Sequence, residues 1–232
     1  MAGHPADHPG PFALVTDLDA PALAPDDRHH LQRVLRLRDG EPLVVGDGAG
    51  GWRPARFGDP LQPIGPVECA PPEAPPITVA FALVKGDRPE LVVQKLTELG
   101  VDRITPFRAS RSVVRWDEVR AAKAIARLRA VARAAAQQCH RPWLPEVTEI
   151  TDFSGLLRGQ RVALADRTGS PPSLEHTCVL VGPEGGWAPE ERAAATEAGA
   201  PSVAIGTHVL RAETAAVTVG AILTGLRSGL LE

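Results

Sequence analysis

Cysteine is scarce in this chain. Cys69, Cys139 and Cys178 stand far apart, an odd number with no C-x-x-C spacing. That pattern excludes a disulfide framework and a cysteine-based zinc site, and it reads as buried or half-buried thiols. No apolar run approaches the roughly 18 residues of a membrane-spanning helix. Residues 1–11 are polar and proline-rich, without the basic-then-apolar pattern of a secretory leader, so the expected location is the cytoplasm. Neither sign of charge dominates: the formal net charge is −3 over 232 residues. Several signature loops are missing too, with no G-x-S-x-G, no Walker loop and no H-E-x-x-H. His29 and His30 adjoin each other, which is not a metal-ligating spacing on a helix, and no metal is expected. Lysine occurs only as Lys85, Lys95 and Lys123, against 22 arginines. With so much Ala, Gly and Pro this looks like a coding bias, so the choice of Arg over Lys carries little meaning.

What is present is an ordinary globular composition, 44% hydrophobic and 23% charged. The length suits one large domain or two small ones. APPEAPP at 70–76 places four prolines in seven residues, which neither a helix nor a central strand accepts. A boundary there leaves a first domain at 1–70, a linker at 71–76 and a second domain at 77–232. The first reads as a helix over 25–37 with Leu31, Val34 and Leu35 as its apolar stripe, then strands at 42–45, 52–57 and 64–69. Together these suggest a small barrel. The second alternates strands and helices: strands at 77–84, 103–107, 161–165, 178–181 and 202–205, helices at 89–99, 116–139, 189–198 and 213–229. That order predicts a mostly parallel sheet covered by helices on both faces, with ligands beyond the strand C-termini.

Charge is distributed unevenly along the chain. Residues 1–75 carry a net −5, residues 76–150 a net +5 and residues 151–232 a net −3. Within 108–141 there are nine basic and two acidic residues, a local field suited to a polyanion. On the long helix Arg120, Lys123 and Arg127 share one face, and Arg129 and Arg133 form a second pair. Arg108, Arg111, Arg115 and Arg141 flank that helix. Phosphate contact and a merely solvated face are equally weighted readings of it.

Three loops are rich in glycine or contain it at a strand end. Gly46, Gly48 and Gly51 match the dinucleotide fingerprint in spacing, but a strand rather than a helix comes next, so a hairpin turn is the better reading. LVGPEGGW at 180–187 ends a buried strand in glycines that let a ligand approach the main chain, with Glu184 at the mouth. A tight structural turn explains it equally well. IGTHVLRAETAA at 205–216 leaves the next strand and opens the last helix, with Arg211 and Glu213 at the junction. A structural salt bridge is the plain reading of those charges. Two such loops at one sheet edge favour a functional site.

These two loops resemble the paired signature loops of the RsmE family, the 16S ribosomal RNA uridine-N3 methyltransferases of the SPOUT superfamily. RHHLQRVLRLRDG at 28–40, KGDRPELVVQKLTELGVDRITPF at 85–107 and AAAQQCHRPWLPEV at 134–147 resemble further family blocks, in order. Gln137, His140 and His208 depart from the family's usual Glu, Gly and Arg. The resemblance implies a PUA-like N-terminal RNA-binding barrel and a C-terminal SPOUT α/β domain with a deep trefoil knot. It also implies a homodimer, a cytoplasmic setting, S-adenosylmethionine as cofactor and the small ribosomal subunit as partner. The reaction implied is methylation of N3 of the uridine conventionally numbered 1498 in 16S rRNA.

Under that resemblance, Leu164, Gly182, Pro183, Glu184, Gly185, Gly186, Trp187, Ile205, Gly206, Val209, Leu210 and Ala212 are expected around the cofactor. Arg211 and Glu184 are the expected catalytic residues. Arg28, His29, Arg33, Arg36, Arg111 and Arg141 are expected on RNA. Other SPOUT enzymes, acting on a ribose 2′-OH or a guanine, and a catalytically silent RNA-binding protein are the competing readings. The five ordered blocks disfavour the first and the intact loops disfavour the second.

Overall fold

The computed structural model describes residues 3–112, 114, 116–159 and 161–231. The chain divides into two compact units, 1–73 with 133–144, and 74–132 with 145–232.

The smaller unit is built on a five-stranded sheet in the order β1-β2-β3-β4, with β5 also on β3. The strands are β1 (Phe12–Leu14), β2 (Pro42–Gly46), β3 (Gly51–Arg56), β4 (Gln62–Pro63) and β5 (Glu68–Cys69). β1 runs parallel to β2 and the remaining pairs are antiparallel. The glycine run after β2 is a hairpin turn, with Gly48 and Gly50 at φ +75° and +94°. Leu43, Val45, Ala55 and Phe57 pack one face of this sheet, and Val44 and Trp52 pack with Phe12 and Leu14.

The helix expected over 25–37 is shorter and changes pitch. α1 (Pro25–His29) runs into a π-helical turn at His30–Val34, where Leu35 N donates to His30 O at 3.1 Å. The wider turn shifts the facing of the residues after it. Of the expected stripe only Leu31 is buried, while Val34 and Leu35 are exposed.

One departure from the expected boundary is larger. Residues 133–144 belong to the smaller unit although they lie some 60 residues beyond the linker. The bonds that hold them are specific. Gln137 Oε1 accepts from Leu14 N at 2.9 Å, and Gln137 Nε2 donates to Asp27 at 3.2 Å. Arg133 pairs with Asp27 at 2.8 Å, Ala136 is fully buried against Trp52 and Phe12, and Trp143 Nε1 donates to Ala70 O at 2.9 Å. His140 stacks on Phe12 with φ +57°, the left-handed region that a glycine adopts without strain.

The larger unit is a seven-stranded, wholly parallel sheet in the order β12-β10-β11-β6-β7-β8, with β9 also on β7. Its strands are β6 (Thr78–Ala82), β7 (Arg103–Arg108), β8 (Glu146–Val147), β9 (Thr151–Asp152), β10 (Val162–Ser170), β11 (Cys178–Val181) and β12 (Ser202–Val203). Helices α2 (Arg88–Glu98), α3 (Glu118–Gln138), α4 (Phe153–Leu157), α5 (Pro189–Glu197) and α6 (Ala212–Arg227) complete the chain. The first fifteen residues of α3, 118–132, belong to this unit.

Alternation along β6 explains the two-sided cover. Val79 and Phe81 point into a core shared with α2, α3 and α6, while Ala80 and Ala82 face Phe107, Phe153 and Trp187 on the side of α4 and α5. α6 approaches α2 closely because position 220 is glycine: a Cβ there would sit 2.5 Å from Leu96 Cδ2. Arg227 at the end of α6 pairs with Asp102 at 2.5 Å and donates to Gly100 O at 2.9 Å.

The cysteines match the expected pattern in part. Cys139 and Cys178 are half-buried, whereas Cys69 on β5 is exposed. Burial pushes the Cys178 thiol up to about 11, against a smaller opposing pull from Arg103. The fold therefore keeps this thiol neutral up to about 11, and its contribution to stability is full below the unfolded thiol value of about 8.5 and is lost as pH rises through about 11. At pH 8 an aromatic disulfide reagent should titrate Cys69 in the native protein and reach Cys178 only after urea unfolding. Equal rates at both positions would contradict the burial argument.

Candidate active site

The carboxyl edge of β10, β11 and β12 gathers the two glycine-containing loops. β11 ends at Val181, and Gly182-Pro183-Glu184-Gly185-Gly186 turns the chain toward α5. Gly182 has no room for a side chain, since a Cβ would meet the Trp187 ring at 2.9 Å. Gly186 sits at φ +70° with open space before it. Trp187 is buried, stacks on Phe107 with centroids 6.1 Å apart, and donates from Nε1 to Ala165 O at 3.0 Å. That bond links the loop to the middle of the neighbouring strand β10. α5 opens with Glu191, whose carboxylate accepts from Ala188 N at 2.9 Å and Ser110 N at 2.8 Å.

Between this turn and the 204–211 loop lies a cavity of about 560 Å³. That is the range of small-molecule sites. Gly182, Pro183, Glu184, Gly186, Trp187, Ile205, Gly206, Val209, Leu210 and Ala212 line it, as the sequence reading expects. Two expected residues do not. Leu164 is 2% exposed and packs in the α4/α5-side core, because side chains alternate along β10 and its neighbour Ala165 takes the cavity side. Gly185 lines a smaller cleft on the other side of the turn.

The cavity also holds polar groups that the sequence reading missed. Asp166, Arg167 and Thr168 on β10, Arg192 on α5 and His208 line it. Asp166 is nearly buried and pairs with Arg192 at 2.5 Å. Burial by itself would raise its pKa; the Thr168 N–H at 3.0 Å, the Thr168 hydroxyl at 2.9 Å and Arg192 outweigh it and hold the carboxyl below the ordinary aspartate value. Such a group stabilises the fold fully above the unfolded pKa of about 3.9, and the contribution disappears as pH falls through the folded value. Urea midpoints of Asp166→Asn should therefore be less acid-sensitive than wild type below about pH 4. Parallel midpoint curves for the two proteins would remove the argument. The position of Asp166, one residue past the predicted strand, was the signal available.

The charges at the loop junction are arranged differently from a simple pair. Arg88, at the start of α2, reaches Glu184 at 2.5 Å and Glu213 at 3.6 Å. One guanidinium thus bridges both loops. Glu213 is 12% exposed at its side chain, and its Oε2 is buried without a hydrogen bond among the described residues. Arg211, the residue preceding α6, makes no ion pair with a described residue and is exposed beside the cavity residues Leu210 and Ala212. The plain reading of Arg211 as a partner of Glu213 or Glu184 is therefore replaced: Arg88 takes that place. Arg88 lies within the 85–107 block, but nothing in its spacing pointed to residues about 96 and 125 positions away.

Comparison with known proteins fits this geometry. A sequence model described as an RNA methyltransferase domain matches residues 72–224, and one described as an RNA methyltransferase PUA domain matches residues 23–60. The ribosomal RNA small subunit methyltransferase E of Mycobacterium bovis is 37% identical over 222 residues, covering 85% of this chain and 83% of its own. The chain belongs to the ribosomal RNA small subunit methyltransferase E family. Solved structures agree with that membership. The family member from Neisseria gonorrhoeae, bound to S-adenosyl methionine, superposes with a TM-score of 0.76 at 28% identity, over 93% of this chain and 97% of that one. A putative methyltransferase from Legionella pneumophila, in complex with the same cofactor, gives 0.79 at 26% identity, over 96% and 98%. The larger unit is thus an RNA methyltransferase domain, and the smaller contains the match to the PUA domain.

The residues expected on RNA separate into engaged and free. Arg28 is held by Asp59 at 3.3 Å and by Gly58 O at 3.2 Å, over the Phe57 ring at 5.8 Å, so it braces the PUA unit. His29 at the end of α1, Arg33 in the π-turn and Arg36 just beyond it are exposed and make no ion pair with a described residue. Arg141 is half-buried and engaged. In the methyltransferase domain Arg111 donates to Gly185 O at 3.1 Å. Arg108, Arg127 and Arg129 pair with Asp152, Glu90 and Glu149. Arg115 lies outside the described residues.

Proposed function

We propose that this methyltransferase transfers a methyl group from S-adenosylmethionine to N3 of a uridine in 16S rRNA, the one conventionally numbered 1498, within the small ribosomal subunit. The observation that carries the reading is the convergence of both signature loops on one 560 Å³ cavity at the carboxyl edge of a parallel sheet, in an RNA methyltransferase domain.

The cavity residues fit the cofactor. Val181, Ile205, Leu210 and Trp187 give apolar walls suited to an adenine, and the Gly182 and Gly186 positions leave main-chain groups approachable. Asp166 and Arg192 give a polar end suited to the amino-acid portion. When bound, the cofactor supplies an electrophilic methyl group on a sulfonium. The chain's own task is placement and charge. Uracil N3 lies on the Watson–Crick edge, so the base must be unpaired or flipped to be reached. As N3 loses its proton to solvent it gains negative charge, and the guanidinium of Arg211, which makes no ion pair with a described residue, would stabilise it by fixed electrostatics. Glu184, engaged by Arg88, would act by holding its loop.

The reading extends to a homodimer working in the cytoplasm and to a trefoil knot. In support of the knot, β12 lies beyond β10 at the sheet edge, yet α6 returns across β11 and β6 to α2. The direct test is nucleoside mass spectrometry of small-subunit RNA from cells lacking the activity, before and after addition of the pure protein and S-adenosylmethionine. Appearance of 3-methyluridine only after addition is expected. A different methylated nucleoside would overturn the specificity, and no methylation on competent particles would favour a binding protein without catalysis.

A further inference from the structure

Three hollows in the methyltransferase domain share walls. The 560 Å³ cavity and a cleft of about 160 Å³ have Pro183 and Glu184 in common, so the Gly182–Gly185 turn is a partition between them. The cleft in turn shares Val84, Lys85 and Val114 with a pocket of about 520 Å³ against α3. The cleft and the pocket on the face of α3 therefore adjoin on the outer side of this turn, with the cofactor cavity on its inner side.

Its charge is one-sided. The cleft carries Lys85, Arg88 and Arg111; the pocket carries Lys85, Arg120, Lys123 and Arg127. Glu184 and Glu90 are the acids along it, and each is already taken, by Arg88 at 2.5 Å and by Arg127 at 2.9 Å. Lys85, Arg120 and Lys123 are exposed and make no ion pair with a described residue. The half-buried indole of Trp116 lines the same pocket. Uncompensated cations along a groove, with an aromatic plane beside them, are what a single-stranded nucleic acid uses: phosphates on the cations and a base on the ring.

We propose that this track seats the RNA strand carrying the target nucleotide. The strand runs along the cleft to the Pro183–Glu184 rim that it shares with the cofactor cavity, and the target base turns over that rim toward Arg211. Neighbouring phosphates lie on Lys85, Arg120 and Lys123, and a flanking base stacks on Trp116. The inference rests on the proposed RNA methylation and adds the path of the strand. A protein covering the same face, a second copy of this chain included, would meet three unneutralised cations, which argues for the polyanion.

The test uses the full chain, a single-stranded uridine-containing 12-mer and unmethylated small subunits. For the double variant Arg120→Ala/Lys123→Ala, the slope of log affinity against log salt for the 12-mer should fall by about 1.4, at about 0.7 per single-strand phosphate contact. KM for subunits should rise at least about tenfold with kcat and cofactor affinity little changed, as for lost uniform binding. Trp116→Ala should weaken the 12-mer without altering the slope, and Trp116→Phe should restore most of the affinity. An unchanged slope and KM in the double variant would overturn the track. So would a changed sedimentation coefficient with RNA binding intact, which would assign the face to a protein contact. If wild type instead makes another methylated nucleoside, the uridine reading fails while the slope measurement still decides the track.

Discussion

Arg211→Ala is expected to lower the methylation rate about 10²–10³-fold, the usual cost of removing one preorganised charge-stabilising donor, while cofactor affinity stays close to wild type. The expectation comes from who is paired with whom. Glu184 and Glu213, the two carboxylates nearest in sequence logic, are both engaged by Arg88. Arg211 has no structural ion pair to lose among the described residues, so its removal should not loosen the loops. Single-turnover rates with saturating cofactor, alongside calorimetric cofactor titration, separate the outcomes. Loss of both rate and affinity would reassign Arg211 to the cofactor cavity, and retention of both would leave it without a role in the reaction. Arg88→Ala is the informative contrast: it frees both carboxylates at once, so affinity and rate should fall together.

Gly186→Arg should abolish measurable cofactor binding, a fall of at least about 100-fold, or about 2.8 kcal/mol at 1.4 kcal/mol per tenfold. Two effects combine. Gly186 has φ +70°, where any other residue carries backbone strain of about 1–3 kcal/mol. It also lines the cavity with open space in front of its Cα, so a long side chain projects into the ligand volume rather than into the core. Gly186→Ala carries the strain without the bulk and should lose much less affinity. Melting temperature in the absence of cofactor checks that both variants fold. Equal affinity of Gly186→Arg and wild type would remove this turn from the site.

Much of the site could be read before the fold was known. Ten of the twelve residues assigned to the cofactor line one cavity, because glycines and small residues at strand ends are a local signal of close approach. The element order of the methyltransferase domain was also legible, since β-branched runs alternating with capped helices leave few arrangements other than a parallel sheet. Leu164 shows the limit of such reading. An alternating strand places neighbours on opposite faces, and which of Leu164 and Ala165 meets the cavity depends on the partner strands.

What the sequence determined by itself was therefore the local chemistry: the strand–turn–helix punctuation, the two loops, the family they resemble and the positive field over 108–141. Tertiary structure alone decided the pairings across long separations. Arg88 joining Glu184 to Glu213 spans 96 and 125 positions, Gln137 binding Leu14 spans 123, and Asp166 meeting Arg192 depends on how α5 packs beside β10. It also sorted the basic residues into those paired with an acid and those without an ion pair among the described residues. Periodicity and spacing describe what a residue meets within a few turns of chain. Salt bridges and shared cavities are set by how sheets and helices stack, and one residue type at one position is compatible with many partners until the packing chooses among them.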